Sequence, residues 1–76
     1  MNKIRRKQLQ EIIDQIEEFK GALEDLQQEE EEYRDNMPEN LWGSERYEKA
    51  EEAVSNIEDA VSALEEATCS IEAAIE

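Results

Sequence analysis

Seventy-six residues carry 22 acidic and 8 basic side chains, no histidine and one cysteine, for a formal net charge of −14. That length allows one domain with a thin core. That charge excludes direct binding to nucleic acid or an anionic membrane, both of which would repel the chain.

The N-terminus carries Lys3, Arg5, Arg6 and Lys7, but no apolar stretch follows them. The expectation is that no signal peptide or membrane span is present. The first helix is then expected over about residues 3–36. Its apolar residues Leu9, Ile12, Ile16, Phe19, Leu23 and Leu26 recur at alternating spacings of three and four, and Tyr33 and Met37 extend the pattern. In heptad notation Leu9, Ile16 and Leu23 take position a, and Ile12, Phe19, Leu26 and Tyr33 take position d. Glu30 interrupts the seam at an a position, and Ile13 and Ala22 widen it. Gly21 lies mid-helix on the outer face, where it weakens the helix relative to alanine. The basic residues sit unfavourably at a helix N-terminus, so the first turn is expected to fray. Their expected role is to neutralise Glu72 and Glu76 at the far end of the second helix.

Pro38 ends the first helix, because the residue before a proline is pushed out of the α region. A loop follows over residues 37–43. It holds Leu41 and Trp42, which either cap the end of the helices above Tyr33 and Tyr47 or form an apolar tip for a partner.

Ser44 is a good N-cap, with Glu45 and Glu48 behind it to complement the helix dipole. The second helix is expected over about residues 44–75. From Glu52 it repeats every seven residues: Glu52 to Glu58, Asp59 to Glu65, Glu66 to Glu72. A strict heptad fixes a helix with one apolar seam that must meet another helix. Here that seam is Tyr47, Ala50, Val54, Ile57, Val61, Leu64, Thr68, Ile71 and Ile75. Sustained heptads also argue against the disorder that so charged a chain would otherwise suggest.

So short a loop makes the helices antiparallel neighbours. The expected fold is all-α: one domain spanning 1–76, an antiparallel, coiled-coil-like two-helix hairpin. Folding at the loop stacks Leu9 on Ile71, Ile16 on Leu64, Phe19 on Val61, Leu23 on Ile57, Leu26 on Val54 and Tyr33 on Tyr47. The e positions then face each other: Arg6, Ile13, Lys20, Gln27 and Arg34 against Glu51, Glu58, Glu65 and Glu72. One stripe remains, Ala53, Ala60, Ala67 and Ala74 at position g. Either the first helix leans over it, or it is a self-association surface. The second alternative is the one expected, pairing two hairpins into a homodimeric four-helix bundle.

The candidates for chemistry are few. Inward Glu-x-x-His pairs of di-metal bundles need histidine, and the calcium-loop pattern is missing, so neither metal nor cofactor is expected. Cys69 occupies an outward slot that Ser55 and Ser62 hold in earlier repeats, with acidic rather than basic surroundings, so it is not a nucleophile. No enzyme activity is expected. The candidate partner-binding residues are the carboxylates Glu24, Asp25, Glu29, Glu31, Glu32 and Asp35. Carboxylates along a rigid rod can imitate a nucleic-acid backbone, which carries one charge per ~1.7 Å of duplex axis.

The segments Asn36-Met37-Pro38-Glu39-Asn40-Leu41 and Ser44-Glu45-Arg46-Tyr47-Glu48-Lys49-Ala50-Glu51-Glu52-Ala53 resemble small acidic helical proteins encoded by phages and prophages of Gram-positive bacteria. The resemblance extends loosely into the alanine-rich second helix. It implies a phage origin and a cytoplasmic location in a bacterial host cell, but supplies no functional residues. The expected function is a non-catalytic interaction module, a phage-encoded inhibitor that presents its acidic face to a basic host surface. The alternative is a structural, homo-oligomeric bundle with no inhibitory role.

Overall fold

The computed structural model describes all residues, Met1–Glu76, as two long helices joined by a short loop. Helix α1 spans Lys3–Asp35 and helix α2 spans Glu45–Ile75, with a single 3-10 turn, Glu39–Leu41, between them. They lie side by side in a rod of 59 × 15 × 12 Å. The rod is only two helices thick, so its core is a line of contacts and not a layer.

Local chemistry explains the boundaries. Asn2 caps α1, its side-chain oxygen accepting from the Arg5 N–H at 2.8 Å. The cap satisfies one of the free N–H groups that open every helix. The first turn is helical from Lys3 despite the unfavourable cations. Ser44 caps α2 in the same way, its hydroxyl accepting from the Tyr47 N–H at 3.3 Å. Gly43 turns the chain into that cap with φ at +85°, a region costly to residues with a Cβ.

The two inner faces differ from the expected seam. On α2 the a and d residues turn inward, with Ala50, Val54 and Thr68 buried. On α1 the inward residues are those at a and e: Ile13 is buried, while Leu9, Ile16, Lys20, Leu23, Gln27 and Arg34 are half-buried. The d residues are left largely outside. Ile12 is 45% exposed, Phe19 63%, Leu26 53% and Tyr33 49%. In the expected layers Phe19 on Val61, Leu26 on Val54 and Tyr33 on Tyr47, the α1 member is thus about half exposed or more. The cause is a roll of α1 about its axis. Lys20 and Arg34 turn inward with it, their side chains 21% and 25% exposed; long cationic side chains can lay their aliphatic stems on apolar surface in this way.

The e positions still meet across the hairpin at one point, where Lys20 Nζ lies 3.6 Å from Glu65 Oε1. None of Lys3, Arg5, Arg6 and Lys7 forms a direct ion pair, with Glu72 and Glu76 or with any other carboxylate.

Candidate functional site

The acidic surface is built by α1. Glu24, Asp25, Glu29, Glu32 and Asp35 are exposed and Glu31 is half-buried. Of these six only Asp35 is ion-paired, to Arg34 at 3.0 Å. That hydrogen bond, with burial opposing it and Asp35, Tyr47 and Glu31 adding to it, holds the Arg34 guanidinium above its ordinary range. Gln27 donates to Glu31 at 3.4 Å. Glu24, Asp25, Gln27, Gln28 and Glu31, all polar residues, line a shallow trough along the helix. One turn earlier, Lys20 is surrounded by Glu17, Glu65 and Glu24. Burial disfavours its charge, but those carboxylates outweigh it and raise its pKa.

The loop holds the second group. Trp42 is 52% exposed, but it is tethered. Its Nε1 donates to the Met37 carbonyl at 3.0 Å and its ring packs on Tyr47, centroids 6.0 Å apart. Met37 is buried at the loop end of the hairpin. Leu41 stands at 37% exposed. Leu41 and Trp42 thus present a partly open apolar tip, with Trp42 tethered to Met37 and Tyr47.

The alanine stripe is divided. Ala53, Ala60 and Ala67 are half-buried and Ala74 is exposed, as expected if α1 leans over the first three. Thr68, beside Ala67, is buried with its hydroxyl lacking any hydrogen-bond partner.

An open cleft of about 420 Å³ lies between the helices near the loop, lined by Glu30, Tyr33, Glu45, Arg46, Lys49 and Ala50. Its charges are mixed, and Lys49 pairs with Glu45 at 3.2 Å. Such a cleft lacks the enclosing apolar wall that tunes a carboxyl for proton transfer. No three His, Cys, Asp or Glu side chains converge into a metal-holding group, and no helix is long and apolar enough to cross a membrane. Cys69 is exposed and unpaired.

Comparison with family models, curated proteins and solved structures finds no match.

Proposed function

We propose that this protein is a non-catalytic interaction module whose acidic edge on α1 docks against a basic surface of another protein. The carrying observation is the density of uncompensated carboxylate. Residues 24–35 hold seven acidic side chains and one cation, Arg34, which pairs only with Asp35. At 1.5 Å per residue that stretch is about 17 Å long. Net of Arg34, its charge density is roughly 60% of that of duplex DNA. A rod of this width and charge suits the groove of a nucleic-acid-binding protein. Together with the resemblance to phage-encoded helical proteins, it supports the reading of an inhibitor acting on a host nucleic-acid or defence enzyme in the bacterial cytoplasm.

The test is affinity capture from bacterial lysate, washed at low and high salt and challenged with duplex DNA. Charge-steered docking weakens with salt, so the partner is expected to be retained at low salt and displaced by DNA. The Glu31→Lys, Glu32→Lys double variant is expected to keep its helicity and lose the partner. Binding that survives the reversal would sink the mimicry reading.

A second reading, an assembly role in which the helical bundle itself is the product, is favoured by the apolar d stripe left open on α1.

A further inference from the structure

The open stripe of α1 is regular. Ile12, Phe19, Leu26 and Tyr33 stand seven residues apart, each about half exposed or more. A seven-residue period on a free face is the pattern of a helix that meets another helix. Its surroundings are as informative as the stripe. Between Gln8 and Leu26 every residue at positions a, d and g of α1 is uncharged. Between Ala53 and Ala74, α2 confines its charges to e and f: Glu58, Asp59, Glu65, Glu66 and Glu72. The Lys20–Glu65 contact marks the e edge of the hairpin. Helical geometry therefore puts the d and g residues of α1 and the alanines of α2 together on the opposite side. A chain that is 39% charged thus has one broad side free of charge.

We infer that this side is covered by a second copy of the chain, with the two α1 helices antiparallel about a two-fold axis at Phe19. Three observations select that occupant. The first is charge. Two chains of net charge −14 repel at most approaches, and the uncharged side is where that repulsion is least. The second is area. A compact monomer of this mass exposes roughly 4,800 Å², whereas the hairpin exposes 5784 Å². The excess of about 1,000 Å² matches the roughly 800 Å² that each partner buries in a standard interface.

The third observation is the polarity of α1. Its start carries Lys3, Arg5, Arg6 and Lys7, none of them ion-paired, and its last third carries the uncompensated carboxylates. Antiparallel pairing brings each basic end beside the other copy's acidic end; parallel pairing sets like against like. In the antiparallel register Phe19 meets Phe19 and Ile12 meets Leu26. Arg5, the next d residue along, meets Tyr33 among Glu29, Glu30 and Glu32, a setting for cation–π and ionic contact. The inference shares Glu29 and Glu32 with the acidic-edge reading, while Glu24, Glu31 and Asp35 lie on faces of α1 turned away from the axis; Phe19→Asp, which leaves every carboxylate in place, separates the two.

The test uses the purified full chain and no foreign partner. Sedimentation equilibrium is expected to give a dimer mass at tens of micromolar. Phe19→Asp is expected to keep its helicity and raise the dimer dissociation constant roughly 30-fold or more. Should that variant unfold, cysteine trapping in a Cys69→Ser background decides the matter. Phe19→Cys is expected to form a disulfide-linked dimer. Ile12→Cys is expected to link to Leu26→Cys in a mixture, and not to itself. A monomer throughout the concentration range would overturn the inference and leave the stripe to a foreign partner. Self-linkage of Ile12→Cys would overturn the antiparallel arrangement.

Discussion

At the scale of single residues, two positions work against the fold around them. Gly21 sits mid-helix, and a Cβ placed there meets nothing within 4 Å. Its glycine is a local weakness with no packing reason. Gly21→Ala is expected to stabilise the chain by about 1 kcal/mol, read as a rise in Tm of roughly 4–8 °C. No gain on thermal unfolding would mean that the position serves a contact absent from the free hairpin. Thr68 presents the opposite case, a good fit with the wrong chemistry. Its hydroxyl is buried without a partner, and such a group costs roughly 1–3 kcal/mol. Thr68→Val keeps the shape and is expected to raise stability by about 1 kcal/mol in denaturant titration. A loss would show that the hydroxyl has a partner in solution. Asn2 was legible in principle, since asparagine before a helix is a standard cap. The cluster of cations behind it drew attention to the dipole penalty instead.

At the scale of elements, heptad periodicity located both helices, and Pro38 and Ser44 located the loop. Periodicity did not tell which stripe of α1 faces α2. A seven-residue repeat says that a seam exists; it does not say whose seam it is. Ile13, Lys20 and Gln27 at position e looked like flanking residues, yet they line the contact. Long polar side chains contribute their stems there, a use of lysine and glutamine that hydropathy patterns hide. Large-to-small changes separate the two frames. Ile13→Ala is expected to cost roughly 2–3 kcal/mol at any protein concentration. Phe19→Ala is expected to matter only where the dimer is populated. Equal, concentration-independent losses at both positions would restore the a/d seam. The acidic residues of the candidate site were legible individually. That Arg34 pairs with Asp35 and with none of the others was not, because a charge count does not choose the partner.

At the scale of the whole molecule, the rod divides into sides of different character: an acidic edge, an e edge tied by Lys20 and Glu65, and an uncharged apolar side. These sides answer differently to salt. Docking of the acidic edge on a basic surface weakens as ions screen it. Self-association through the apolar side is not expected to weaken between low and high salt, because screening also relieves the repulsion between two acidic chains. Sedimentation and capture run at the same two salt concentrations would therefore separate the two interactions.

The most direct test of the central claim, that α1 turns its d stripe away from α2 and toward another copy, is an isotope-filtered nuclear Overhauser experiment. It would use a mixture of labelled and unlabelled chains. The account predicts intermolecular contacts between Ile12 and Leu26 methyl groups and between Phe19 rings, with no strong intramolecular contact from Phe19 to Val61. Strong Phe19–Val61 contacts within one chain, with none between chains, would contradict it.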